Sequence, residues 1–217
     1  MPSDASIKKC INKYQENLKA SKNISQFDYC YCYFYTFYKK RKIREIANRK
    51  NLQMSCLQLG FYLASFGMMR RSAVLSKKSL EYLMPLIELI SNSDPKLWEI
   101  DIDSYLEENN IDVLLKFKKS IKKEKILEKA TDTLVTKIML GVYGNIPAFD
   151  RYFRIGFGVH TVNENSLRKI GQFYNDHRKP IDSFDIKTRD FLTGKFTKII
   201  CTKARLIDMY GFQKGKG

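Results

Sequence analysis

The chain has 217 residues, 44% of them hydrophobic and 13% aromatic, with a formal net charge of +16 and a mean hydropathy of -0.38. That is enough apolar material for the core of one compact domain, and no apolar run approaches the roughly 18–20 residues that a membrane helix needs. MPSDASIKKC at the start lacks the apolar segment of a secretory signal, so the expected setting is cytoplasmic, with no membrane partner.

Ile7, Cys10, Ile11, Tyr14 and Leu18 recur at i, i+3, i+4, i+7 and i+11, which predicts an amphipathic helix with a lysine-rich outer face. After a break at Ser21 to Ser25 comes QFDYCYCYFYTFYKKRKIREIANRK. Its tyrosines alternate at 29, 31, 33 and 35 as in a strand, yet Phe27, Cys30, Phe34, Phe37 and Tyr38 fit one helical face. The propensity of the tail favours a helix. Leu52 to Met69 predicts a further helix. Another is expected through Leu75, Leu80, Leu83 and Leu86, with Pro85 kinking or restarting it. SNSDP at 91–95 is a turn. Helices are expected through Ile111 to Phe117 and Ile121 to Ala130.

The stretch TDTLVTKIMLGVYGNIPAFDRYF, 131–153, reads as a helix, a glycine turn and a second helix opening at Pro147 with Asp150 in its first turn. Asn163 or Asn165 caps the next helix, which Pro180 ends. Residues 184–192 are short and mixed. The closing helix is expected over Ile199 to Met209, stopped near Gly211, with QKGKG frayed beyond it. The fold class expected is all-α, with about eight to ten helices. Basic N-terminal helices over 1–50 would pack on a main helical domain over 51–217.

The five cysteines make no Cys-x-x-Cys pair, and only His160 and His177 could join them, so no metal or cofactor is expected. No Walker loop, Rossmann glycine fingerprint, Gly-x-Ser-x-Gly elbow or His-Glu-x-x-His is present. The charge is uneven. Residues 1–50 carry 12 Lys/Arg against 4 Asp/Glu, residues 94–112 one lysine against seven acids, and residues 163–217 carry 12 basic against 6 acidic side chains. Basic excess at both ends points to nucleic acid as partner, bound in a salt-dependent way. A solvated lysine-rich surface is the plainer reading.

The order of elements resembles the helix-hairpin-helix superfamily of DNA glycosylases, of the endonuclease III and adenine-glycosylase type. LGFYLASFGMMRRSAVLSKKSLEYLM, 59–84, is similar in placement to that family's early helix and the loop that enters the duplex. IPAFDRYFRIGF, 146–157, is similar to its catalytic segment, and KIICTKARLIDMYGFQKG, 198–215, to its closing helix. The chain also resembles small bacterial proteins with the same LASFGM, TLVTKIMLG and DRYF stretches, which implies no activity.

The glycosylase resemblance implies a helical enzyme, monomeric or weakly oligomeric, that flips a damaged or modified base from double-stranded DNA and cleaves its N-glycosidic bond. It places the catalytic carboxylate at Asp150. Met68, Met69, Arg70 or Arg71 would serve as wedge, and Tyr143, Tyr152 or Phe149 would line the base pocket. Nucleic-acid contacts are expected from Arg70, Arg71, Lys137, Arg151 and Arg154, and from the cluster Lys39, Lys40, Arg41 and Lys42. The chain departs from the family in three ways. There is no Gly-x-Gly upstream of Leu134, Lys137 lies about a turn beyond the family's Schiff-base lysine, and no iron–sulfur cysteines are present. The alternative is a non-catalytic basic helical protein that binds nucleic acid or acts as an adaptor. In it, Asp150 is a helix cap.

Overall fold

Apolar side chains at helical spacing fold into a set of packed helices with one small sheet. The computed structural model describes residues 2–20, 26–70, 73–107, 109–127 and 129–217. In chain order the α-helices are α1 (Asp4–Ala20), α2 (Gln26–Lys39), α3 (Arg49–Ser65), α4 (Met84–Ser91), α5 (Asn110–Ile121), α6 (Glu124–Leu127), α7 (Asp132–Tyr143), α8 (Arg151–Phe157), α9 (Glu164–Asp176), α10 (Arg178–Asp182) and α11 (Lys203–Lys216). Strands β1 (Lys187–Arg189) and β2 (Phe196–Ile200) pair antiparallel, with Lys187 opposite Ile200 and Arg189 opposite Phe196. The protein is all-α apart from this hairpin. Among the described residues no helix is long and apolar enough to cross a membrane.

Helix α7 is the centre. Every residue from Leu134 to Tyr143 is buried, and α2, α3 and α5 pack around it. Its ends are written in the sequence. Thr131 caps it by accepting a hydrogen bond from the Leu134 amide at 3.2 Å. Gly144 ends it at φ 67°, a left-handed conformation that suits glycine. At Gly141 the ring of Tyr62 from α3 lies where a side chain would stand, 2.4 Å from an added Cβ. Buried residues from Ile7 in α1 to Tyr210 in α11 belong to one apolar cluster.

Helices α8 and α11 cross with almost no side chain between them. A Cβ at Gly156 would stand 2.1 Å from the Gly211 carbonyl oxygen, and one at Gly215 would stand 1.9 Å from the Tyr152 carbonyl oxygen. Backbone cannot yield as a flexible side chain can, so Gly156→Ala is expected to destabilise the protein by about 1–3 kcal/mol, read as a lower urea midpoint. An unchanged midpoint would mean the helices separate easily.

Several expectations are corrected. The helix expected through residue 50 stops at Lys39. Arg41 takes φ 56°, a 3-10 turn spans Ile43–Ala47, and α3 starts afresh after Asn48. Residues 75–83 form two short 3-10 turns, Val74–Lys77 and Leu80–Leu83, rather than a helix. Pro85 then opens α4. Pro147 does not open α8; it lies in the loop before it, and Asp150 is the cap that precedes the first turn. The closing helix begins later than expected, capped by Thr202, because 196–200 is strand. It also continues through Gly211, and QKGKG is not frayed as far as Lys216. Gln213 is buried, and its Oε1 accepts from Asn17 of α1 at 3.2 Å.

The hairpin is tied to α2 by Asp28, whose Oδ2 accepts from the Arg189 amide at 3.0 Å. Burial pushes the Asp28 carboxyl up to about 6, against the pull of that amide and of the Arg205 and Arg189 charges. Between its ordinary value of 3.8 and about 6, the folded chain holds a proton that the unfolded chain has released. This group's contribution to stability therefore falls as pH rises through that window. Asp28→Asn is expected to gain about 1 kcal/mol more over wild type at pH 7 than at pH 5. Equal differences at the two pH values in urea titrations would contradict the burial argument.

Candidate functional site

After Gly144, residues 145–149 form neither helix nor strand, with a bend at Ile146, and side chains from other elements bond to their backbone. Tyr105 Oη donates to the Asn145 carbonyl at 2.6 Å. The Ala148 amide donates to Asp208 Oδ1 at 2.9 Å, and the Phe149 amide to Thr136 Oγ1 at 2.9 Å. Thr133 Oγ1 donates to the Phe149 carbonyl at 2.8 Å. A segment held at Asn145, Ala148 and Phe149 delivers Asp150 to the start of α8. Asp150 Oδ1 accepts from the Phe153 amide at 2.9 Å. Among the described residues its Oδ2 receives no hydrogen bond, and the side chain is half-buried at the surface.

Lys137 lies behind it. About one turn into α7's buried run, it is only 5% exposed, and its Nζ donates to the Phe66 carbonyl at 2.8 Å. Burial lowers its pKa, while the charges of Asp150 and Asp208 raise it and Arg205 lowers it. Lys137 is thus within electrostatic reach of Asp150. Phe66 caps the C-terminus of α3, and Gly67 follows at φ 79°. The C-terminal end of α3 and the lysine of α7 are therefore joined, and the carboxylate of Asp150 acts on that lysine through its charge.

A buried ion pair supports this region from α11. Arg205 Nη1 donates to Asp208 Oδ2, and Nη2 donates to Tyr14 Oη at 3.1 Å. The guanidinium lies 5.2 Å from the Tyr14 ring centroid, 4.8 Å from that of Phe27 and 5.9 Å from that of Phe66. Burial pushes the Asp208 carboxyl up to about 6, the Arg205 charge pulls it down, and Asp150 pushes it up again. Asp208 is the acid that holds Ala148, two residues before Asp150. It positions the segment and does not face solvent.

The sequence-expected residues divide into three sets. Asp150 is half-buried, as are Met68 and Met69 in the loop after α3, and Arg70 is exposed in the same loop. Arg151, Tyr152 and Arg154 are exposed on α8, and the Tyr152 ring meets the edge of Phe212 at 5.1 Å. Lys39, Lys40, Arg41 and Lys42 are all exposed between α2 and the following 3-10 turn, with Lys42 paired to Glu45 at 3.0 Å.

Three residues are corrected. Tyr143 is buried against Trp98 and Phe117 and donates to Ser93 Oγ at 2.9 Å. Phe149 is fully buried against Phe153. Both are core side chains, not walls of a base pocket. Lys137 is buried and so is not a surface phosphate contact. Arg71 lies outside the described residues.

Sequence reasoning missed Arg205. The signal was present as an arginine and an aspartate at i and i+3 in an otherwise apolar helix. Burying that pair requires a dedicated partner set. Among the described residues no cluster of histidine, cysteine and carboxylate side chains is placed to hold a metal ion. No protein-family profile, curated protein or solved structure matches the chain.

Proposed function

We propose that the chain is a DNA-binding base-excision enzyme that cleaves the N-glycosidic bond of a damaged or modified base, with Asp150 as its catalytic carboxylate. One observation carries this reading: Asp150 Oδ1 accepts from the Phe153 amide, its Oδ2 receives no hydrogen bond among the described residues, and its charge acts on buried Lys137. The formal charge of +16 supports a polyanionic partner. Arg70, Arg151 and Arg154 are exposed, which supports their use as phosphate contacts.

In this reading the target base leaves the stack, at a cost of a few kcal/mol, while Met68 or Met69 takes its place. The C1′–N bond breaks and its electron pair leaves with the base. The sugar becomes positively charged, and the Asp150 carboxylate stabilises that charge without moving. A water oxygen then bonds to C1′, and the water proton passes to the departing base or to solvent. The products are a free base and an abasic site.

The capping bond to Phe153 favours a second reading, a non-catalytic nucleic-acid-binding protein in which Asp150 only starts α8. Incubation with duplexes that carry a panel of damaged and modified bases separates the two. Release of a base supports the enzyme; salt-dependent binding without release supports the binder.

A further inference from the structure

Packing divides the aromatic run of α2 into two sets. Phe27, Tyr31 and Phe34 are buried in the core. Tyr29, Tyr33 and Phe37 are only half-buried and fall at i, i+4 and i+8, on one face of the helix. Thr36 is exposed on that face. The Lys40 amide still donates to the Thr36 carbonyl at 3.1 Å, so Lys40 continues the same face beyond the end of α2. Lys39 and Arg41 stand exposed beside it. A line of rings therefore runs along α2 into a cluster of cations.

The β-hairpin turns this face into a groove of about 370 Å³, with Tyr29, Tyr33 and Phe37 on one side and Phe191 and Leu192 of the hairpin turn on the other. Cys32, also in the lining, donates from Sγ to Thr188 Oγ1 at 3.1 Å and ties β1 to α2. Asp190 Oδ1 holds the turn by accepting from the amide and the hydroxyl of Thr193, both at 2.8 Å. Asp190 is the acid of the lining among the described residues, and the turn already engages it. The turn presents Phe191 at 69% and Leu192 at 88% exposure, and Lys195 follows them, exposed. The Phe191 ring stands perpendicular to that of Tyr29, with centroids 5.2 Å apart. The rings of α2 and the apolar turn thus form one continuous surface open to solvent, the kind that marks a binding site.

We propose that this groove binds a single-stranded polynucleotide, with unpaired bases against Tyr29, Tyr33, Phe37 and Phe191 and phosphates on Lys39, Lys40, Arg41 and Lys195. Single-strand sites join aromatic side chains, on which any base can stack, to cations that follow the backbone. Both features occur here along one helical face. An apolar peptide would use the rings and leave the cations unmatched. A duplex turns only the edges of its bases outward, so their faces cannot reach the rings. A single strand offers flat bases and anions alternately along one chain. That strand has two sources, DNA or RNA. Asp150 does not line the groove, so the inference stands apart from the base-excision reading.

The test is fluorescence anisotropy of the full chain with labelled oligothymidine and oligouridine of about 12 nucleotides, and an abasic strand of the same length as control. At least one oligomer is expected to bind with a Kd below about 10 μM at about 50 mM salt. The abasic strand, which has the phosphates without the bases, is expected to bind about tenfold more weakly or worse. Phe191→Ala is expected to lose about fivefold or more in affinity. Its urea midpoint and the salt dependence of its binding should stay those of wild type, because Phe191 is exposed and uncharged. Phe191→Trp is expected to bind at least as tightly as wild type. Lys39→Gln with Lys40→Gln is expected to lower the slope of log affinity against log salt by about 0.7 per lysine. Tighter binding of oligouridine assigns the groove to RNA, and of oligothymidine to DNA. Base release from a duplex reads Asp150 and not this groove, so the two readings fail separately. The proposal is overturned if neither oligomer binds, if the abasic strand binds as tightly as they do, or if Phe191→Ala binds unchanged. It is overturned equally if phosphatidylglycerol vesicles are bound through Phe191 and the oligomers are not.

Discussion

Arg205→Met is expected to destabilise the protein by about 3–5 kcal/mol, which for a domain of ordinary stability is close to unfolding. Arg205 is 2% exposed, and its guanidinium is enclosed by Tyr14, Phe27 and Phe66. It is the counter-charge of Asp208, which is 5% exposed. Without it, Asp208 keeps a charge with no cation bonded to it, or takes up a proton and loses strength as the acceptor for the Ala148 amide. Tyr14 also loses its donor, which loosens α1 from α11. The damage comes from the stranded acid rather than from the lost attraction. Arg205→Met combined with Asp208→Leu should therefore recover much of the loss. Urea titrations of the two single variants and the double variant measure this. Equal stability of Arg205→Met and wild type would mean that the pair is not buried as described.

Asp150→Asn is expected to leave folding nearly untouched and to remove base release. Asparagine caps a helix about as well as aspartate, so the Phe153 amide keeps its acceptor and stability should move by no more than about 0.5 kcal/mol. Asp150→Ala removes the cap and should cost about 1 kcal/mol. If the carboxylate stabilises positive charge at the sugar, its neutral replacement should slow release by about 10²–10³-fold or more. Duplex affinity should hold or rise, because a negative charge facing DNA has been removed. The pair of variants thus separates the capping role from the chemical one. Equal rates for wild type and Asp150→Asn would leave only the cap.

Much of the helical scaffold can be read from the chain, because its apolar spacing is regular. Ile7, Ile11 and Tyr14 lie on the buried side of α1, and Thr131 and Gly144 mark the two ends of α7. The hairpin is not legible in this way. Its strands are three and five residues long, and the exposed positions of β2 include apolar Phe196 and Ile200, so its alternation of exposure does not appear as one of residue type. What defines the hairpin is the turn, where Asp190 Oδ1 accepts from the Thr193 amide and Gly194 takes φ 64°. A sequence read for helices passes over that signal.

Glycine misleads in α11 for a related reason. Gly211 and Gly215 look like stop signals, but they are contact points against α8, and only the crossing of two helices reveals that. Depth is the other limit. Tyr143, Phe149 and Lys137 all lie near Asp150 in sequence, and nothing in residue type separates an aromatic wall from an aromatic core. Lysine is normally a surface residue. Lys137 is buried because α7 is enclosed on every side, and that is a property of the packing around it.

The central claim is that Asp150 performs chemistry on DNA. Its most direct test is single-turnover base release from a modified duplex, scored as abasic sites by alkaline cleavage, with wild type and Asp150→Asn compared at the same DNA occupancy. The account predicts abasic sites with wild type on at least one modified base and almost none with Asp150→Asn. Release that is equal in the two proteins, or absent across the whole panel while the duplex is bound, would contradict it.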